Sequence, residues 1–85
     1  MKKVKYTNHA KLKFKILKSH GFIIDHKQVD ETLLDPDKVI QQSRGRLIAQ
    51  KRITDIHVLR VVYREENNTI IVITFYPGRK ERYEN

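Results

Sequence analysis

The hydrophobic and polar positions in the first half of the chain favour helices. The run KLKFKI alternates with period two, as a strand does, whereas helical spacing relates Ala10, Phe14 and Leu17. Thr7 is a good helix N-cap, and Gly21 is typical of a helix end. These end signals predict a helix from about 8 to 20.

A second helix is predicted to begin after Asp25, because Gln28 stands three positions later, as in a capping box. Asp35 precedes Pro36, and a residue before proline avoids the helical region, so the helix is expected to end there. Its apolar face would consist of Val29, Leu33 and Leu34.

In the second half of the chain, hydrophobic and polar residues alternate with period two, as they do in strands. Residues 43–46 are predicted to form a turn and 65–68 a hairpin, since Asn tolerates positive φ. The strands would span 38–42, 47–53, 57–64 and 69–76, and a short first strand would fit residues 2–6. The predicted fold class is α+β: a single domain, 1–85, with two N-terminal helices packed on one face of a three- to four-stranded antiparallel sheet.

The period of two assigns the side chains of the last two strands to opposite faces of the sheet. The set expected to pack on the helices contains Leu59, Val61, Tyr63, Ile71, Ile73 and Phe75. The set on the open face contains Val58, Arg60, Val62, Arg64, Ile70, Val72, Thr74 and Tyr76. A central arginine is costly to bury unpaired, so Arg60 either binds an anion or pairs with Glu65 or Glu66.

Charge is unevenly distributed along the chain. Of the net charge of +8, residues 1–27 carry +7, from eight lysines and Asp25. A basic arm on a nearly neutral body predicts a polyanionic partner, usually nucleic acid, although lysines also serve solubility alone. The chain has no cysteine and no apolar run of roughly 20 residues, so we expect a cytoplasmic protein without disulfides or a membrane partner.

Several stretches, in their order and spacing, resemble the RelE/ParE toxin superfamily, most closely a poorly characterised RelE-like branch known as a domain of unknown function. The resemblance covers most of the chain and is carried by TNHA (7–10), LLDPDKV (33–39), GRLIA (45–49), HVLRVVY (57–63) and YPGRKERY (76–83). It implies a RelE-like fold and an endoribonuclease that cuts mRNA.

Toxins of the RelE type need no metal, because the ribose 2′-hydroxyl attacks the adjacent phosphate. Such an enzyme needs a group that positions the hydroxyl, cations for the phosphate charge and a proton donor for the leaving oxygen. The resemblance implies that Arg60 and Arg79 hold the phosphate and that Tyr83 is the late tyrosine of the family. The Pro77-Gly78 turn would return the basic tail over the open face.

His9 is the other residue to which the resemblance gives a catalytic role, since histidine titrates near neutral pH. A single histidine at a helix start is more often a capping or packing residue, so both roles stay open. RNA-backbone contacts are expected from Lys13 (where relatives carry arginine), Arg46, Lys51, Arg64, Tyr76, Lys80 and Arg82.

The implied partners are RNA, including mRNA on the ribosome, and an antitoxin protein. No cofactor and no metal are expected, because the four histidines lack the spacing of a zinc site. Two other functions are compatible with the same fold: a ParE-like inhibitor of gyrase, and a nucleic-acid-binding module without catalysis.

Overall fold

A computed structural model describes residues 2–83. The elements of this part of the chain are β1 (Lys3–Tyr6), α1 (Asn8–Ser19), α2 (His26–Leu34), β2 (Lys38–Gln41), β3 (Leu47–Arg52), β4 (His57–Glu66), β5 (Thr69–Arg79) and α3 (Lys80–Tyr83), with a 3₁₀ turn at Ser43–Gly45. Across residues 2–83, no helix has the length and apolar character needed to cross a membrane.

The strands form one sheet in the order β1-β5-β4-β3-β2. Strands β2 to β5 pair antiparallel, as predicted, but β1 runs parallel to β5, with Tyr6 opposite Val72. The prediction of a three- to four-stranded antiparallel sheet was therefore wrong in strand number and in direction. A local turn links β4 to β5, whereas β1 meets β5 only after the whole intervening chain, and no short-range signal sets its direction.

The predicted helix ends are confirmed. The hydroxyl of Thr7 accepts a hydrogen bond from the Ala10 N–H at 3.1 Å, and Gly21 has a φ of 86° just after α1. Asp25 and Gln28 form both bonds of the capping box, at 2.9 and 3.1 Å. These two caps fix where each helix begins, and therefore where each apolar face points.

The apolar face of α2 differs in part from the prediction. Val29 is buried, but Leu34 is 78% exposed, and Thr32 is buried instead. The Thr32 hydroxyl donates to the Gln28 carbonyl at 2.8 Å, which satisfies its polar atom inside the core.

Helices and sheet enclose one apolar core, formed by Ala10, Leu17, Ile24, Val29, Ala49, Leu59, Val61, Tyr63, Ile70, Val72 and Phe75. The predicted faces of β4 are confirmed, but those of β5 were wrong before residue 74. Val62 lies opposite Thr74 whereas Tyr63 lies opposite Val72, so Ile73 is an extra residue in β5. This bulge reverses the alternation and places Ile70 and Val72, rather than Ile71 and Ile73, against the helices.

The hairpin between β4 and β5 is confirmed as a two-residue turn, in which Asn67 and Asn68 have φ of 46° and 65°. The predicted end of β5 at residue 76 was wrong. β5 continues through Pro77 and Gly78 to Arg79, which lies opposite His57. The chain then turns back over the sheet through α3, and not at Pro77-Gly78 as predicted.

Candidate active site

Four polar side chains form a row across the open face of the sheet, one on each of four neighbouring strands. Lys38 lies opposite Gln50, Gln50 opposite Arg60, and Arg60 opposite Tyr76. Residues directly opposite one another project to the same face of a sheet. The next row on this face is apolar apart from its last member: Ile40, Ile48, Val62 and Thr74. We call the first set the polar row.

Helix α3 covers the polar row. The carbonyl oxygen of Tyr83 accepts hydrogen bonds from Lys38 Nζ at 2.7 Å and from Gln50 Nε2 at 3.2 Å. The ring of Tyr83 lies 4.1 Å from Cζ of Arg60, measured to the ring centroid. The same ring rests on Gly78, where a Cβ would overlap it. A glycine at position 78 therefore allows Tyr83 to reach the row.

The guanidinium of Arg60 lies between two aromatic rings, since the Tyr76 centroid is 5.8 Å from its Cζ. Arg60 is 9% exposed and Gln50 is 1% exposed. Among residues 2–83, Arg60 Nε and Gln50 Oε1 have no hydrogen-bond partner. The two tyrosine rings stabilise the buried cation by cation–π attraction, but they do not satisfy its Nε donor.

The two carboxylates that the sequence offered to Arg60 bind other cations. Glu65 pairs with Lys2 at 2.8 Å, and Glu66 pairs with Arg64 at 3.1 Å. Both pairs are exposed, so each contributes little to stability. Of the two roles left open for Arg60, the anion-binding role is the one this arrangement favours.

His9 lies at the rim of the same face. Its Nε2 is 3.1 Å from the hydroxyl of Thr74. Thr74 stands two residues before Tyr76 on β5, and both project to the face of Arg60. The structure thus brings His9, Arg60 and Tyr83, three of the four predicted catalytic residues, to one face of the sheet.

Arg79, the fourth, lies on the other face. It is opposite His57, whose ring meets Phe22 edge-on at 5.0 Å in the helix layer. Arg79 and Lys80 line a shallow depression together with Asp55, Ile56 and Glu81. The structure does not bring Arg79 to the polar row.

Lys51 is also on the helix side, since it lies opposite Leu59. Its Nζ bonds the backbone oxygen of Asp35 at 2.8 Å. Lys13 is half-buried on α1, one turn after His9, and Arg46 is exposed where β3 begins. The exposed Arg82 has its Cζ 5.9 Å from the ring centroid of Tyr83.

The open face remains basic beyond the polar row. Arg64 lies opposite Ile71, and Ile71 lies opposite Lys5 of β1. Lys3 is two residues before Lys5 and projects to the same face. Beyond the apolar row, cations therefore extend to the outer edge of the sheet.

Two tyrosines on the helix side have raised pKa values. Burial, the hydrogen bond from its hydroxyl to Asp30 Oδ1 at 2.9 Å, and the Asp30 charge all raise the pKa of Tyr6. Burial, followed by the charge of Glu65, raises the pKa of Tyr63, and Lys2 opposes this rise. Both tyrosines pack on the helix side of the sheet. Their pKa shifts therefore affect the stability of the fold and not the polar row.

Sequence reasoning missed Lys38 and Gln50. The sequence carries one signal for Gln50, which directly follows the buried Ile48 and Ala49 in the strand LIAQKR. A polar side chain at a buried position needs a hydrogen-bond partner, and this requirement marks Gln50 as unusual. Lys38 carries no local signal. Only the register of β2 with β3 places it beside Gln50.

No family model matches the chain, and no curated protein matches it significantly. Among solved structures, it is similar to the 1.1 Å crystal structure of the Brucella abortus ribonuclease toxin BrnT, with a TM-score of 0.61 and 16% sequence identity. The similarity covers 92% of this chain and 97% of the toxin. At this identity the likeness shows a shared fold: the chain adopts the α+β fold of that ribonuclease toxin.

Proposed function

We propose that the protein is a toxin-type endoribonuclease whose active site is the polar row together with His9 and Tyr83. The observation that carries the proposal is Arg60, a nine-tenths buried cation held between Tyr76 and Tyr83 whose Nε has no partner among residues 2–83. Burying a cation without an anionic partner is costly, and a phosphate is the natural counterpart of a guanidinium. The fold shared with a ribonuclease toxin supports an RNA phosphate.

The proposed reaction needs no metal. The 2′-oxygen of one ribose forms a bond to the adjacent phosphorus, and the bond from phosphorus to the 5′-oxygen of the next nucleotide breaks. The 2′-hydroxyl gives up its proton, and the leaving 5′-oxygen gains one, which yields a 2′,3′-cyclic phosphate and a 5′-hydroxyl. Arg60 stabilises the charge that develops on the phosphate oxygens. His9 and Tyr83 are the proposed proton carriers, since both lie on the face of Arg60.

RNA would follow the basic part of the open face, from the polar row towards Arg64 and Lys5. An antitoxin is the second proposed partner. A net charge of +8 favours an acidic protein that competes with RNA for the same cations. The likeness to a toxin supports this partner in general terms.

The test uses purified wild-type protein, Arg60→Ala and Lys27→Ala on an RNA of mixed sequence in the presence of EDTA. Lys27 is exposed on α2, so its variant removes one positive charge away from the polar row. We expect wild type and Lys27→Ala to leave 2′,3′-cyclic phosphate ends and Arg60→Ala to leave none, with all three folded by amide NMR. Intact RNA with folded wild-type protein would refute the ribonuclease.

The runner-up function is a nucleic-acid-binding module without catalysis. The observation in its favour is that α3 covers the polar row, so that Gln50 and Arg60 are closed to solvent. A module of this kind would bind through the exposed lysines of β1 and α1, and each lysine removed would weaken binding by a similar small step. Under that function, Arg60→Ala would bind RNA as wild type does.

A further inference from the structure

The hydrogen-bonding groups of the polar row have a composition that a phosphate alone would not need. Lys38 Nζ, Gln50 Nε2 and Arg60 Nε are donors, and a phosphate oxygen accepts from such groups. Gln50 Oε1, in contrast, is an acceptor. It is buried with the rest of Gln50, which is 1% exposed, and has no partner among residues 2–83. A ligand that satisfies the row must therefore offer a donor next to an anionic oxygen.

The protein already places an acceptor in the row. The carbonyl oxygen of Tyr83 takes one hydrogen bond from Lys38 and one from Gln50. The backbone of α3 thus satisfies the donors of Lys38 and Gln50 but leaves one acceptor, Gln50 Oε1, and one donor, Arg60 Nε, without partners.

The position of Gln50 narrows the choice of donor. Gln50 and Arg60 are directly opposite one another on neighbouring strands, so a group bound by Gln50 lies next to a phosphate bound by Arg60. In RNA, the 2′-hydroxyl is attached to the carbon beside the one that bears the 3′-phosphate, whereas the base edge lies on the far side of the ribose. The hydroxyl both donates and accepts, and it is the group by which a protein distinguishes RNA from DNA.

We propose that Gln50 binds the ribose 2′-hydroxyl of the nucleotide whose 3′-phosphate is held by Arg60 and Lys38, and that the backbone oxygen of Tyr83 gives up its bonds to Lys38 and Gln50 when RNA binds. This inference rests on the proposed function and adds to it the residue that recognises the nucleophile. Gln50 Oε1 accepts a hydrogen bond from the 2′-hydroxyl, and this bond aims the 2′-oxygen at the phosphorus. The phosphate oxygens take over the two donors that this release sets free.

The experiment measures the affinity of the whole protein for the four nucleoside 3′-monophosphates and for their 2′-deoxy counterparts, by NMR titration. These probes contain the ribose and phosphate of the proposed site and cannot be cleaved. We expect wild type to prefer the ribose form by about two- to tenfold, the value of one hydrogen bond. Gln50→Leu is expected to bind both forms with similar affinity, and Gln41→Leu, an exposed glutamine of β2, to keep the preference.

Equal affinity of wild type for the two forms would overturn the inference, and this result does not depend on whether Gln50→Leu folds. A preference that survives in folded Gln50→Leu would overturn it as well. Failure of the proposed function looks different. RNA that stays intact, with a ribose preference that Gln50→Leu abolishes, would refute the ribonuclease and keep the inference. Cleavage of RNA by a protein that binds the ribose and deoxyribose forms equally would support the ribonuclease and overturn the inference.

Discussion

The ring of Tyr83 covers the guanidinium of Arg60 and at the same time rests on Gly78. Gly78 stands two residues after Tyr76 on β5. The strand that contributes Tyr76 to the polar row therefore also supports Tyr83, which covers the row. The contact between Tyr83 and Gly78 therefore helps to hold α3 in the position in which it covers the polar row.

Gly78→Ala is expected to separate RNA binding from RNA cleavage. The new Cβ would overlap the ring of Tyr83, so the ring must move, while Lys38, Gln50 and Arg60 keep their side chains. We expect tighter RNA binding, because the row is uncovered, and slower cleavage of bound RNA, because a proposed proton carrier is displaced. Anisotropy and single-turnover cleavage measure the two effects. Unchanged values for both would show that the position of Tyr83 does not control the site.

Arg60→Lys is expected to lower cleavage by about tenfold or more, because lysine keeps the charge but lacks the planar fork that grips phosphate and stacks between two rings. The cost in stability should be about 1 kcal/mol, from the lost cation–π contacts. Arg64→Lys is the matched control, since Arg64 lies on the same strand and face but is exposed and paired with Glu66. Cleavage by Arg60→Lys as fast as by Arg64→Lys and wild type would mean that Arg60 acts only as a general positive charge.

Arg79→Ala is expected to change cleavage by less than about twofold, because an exposed residue on the opposite face of the sheet contributes little to a buried site. Cleavage rates of Arg79→Ala and Arg60→Ala on one RNA check this. A loss for Arg79→Ala as large as that for Arg60→Ala would show that the end of β5 rearranges to bring Arg79 to the phosphate.

Lys5→Ala is expected to reduce the salt dependence of RNA binding. Each phosphate contact on a single strand adds about 0.7 to the slope of log affinity against log salt concentration, so the slope should fall by about that amount. Lys27→Ala, an exposed charge on α2, should leave the slope unchanged. If both variants show the same slope as wild type, the RNA does not cross the outer strand.

Tyr6→Phe is expected to lower the free energy of unfolding by about 1 kcal/mol at neutral pH, through loss of the hydrogen bond to Asp30. Because folding raises the pKa of Tyr6 above its ordinary value of 10.0, the wild-type advantage is fully present below that pH. Above it, the unfolded chain ionises first and the advantage shrinks. Urea unfolding at pH 7 and at higher pH measures the difference, and an advantage that grows with pH would contradict this linkage.

Much of the secondary structure could be predicted from sequence because short-range signals determine it. The capping box of Asp25 and Gln28 and the turn at Asn67-Asn68 each depend on a few neighbouring residues. The reversal of faces at Ile73 could not be predicted, since a bulge depends on how β5 fits β4. The pairing of β1 with β5 was missed for the same reason.

The candidate site shows the same limit. Arg60 could be found from its position in an apolar strand, and Tyr83 from the resemblance to a family. Lys38 and Gln50 become neighbours of Arg60 only through strand register, and the turn that carries Tyr83 back over the sheet was predicted at the wrong residues. The pattern of side chains along the sequence indicates which residues are unusual for their position. The pairing of strands in the sheet determines which of these residues become neighbours.

The parallel pairing of β1 with β5 determines when this fold can exist during synthesis. β5 lies between β1 and β4, so the sheet lacks one of its three interior strands until residues 69–79 have left the ribosome. Pairing between such distant segments is slow, because a long loop must close before the contacts form. Tyr76 belongs to that strand and Tyr83 follows it, so the polar row is assembled by the same late event that completes the core. A nascent chain therefore cannot form the polar row before it forms the whole fold.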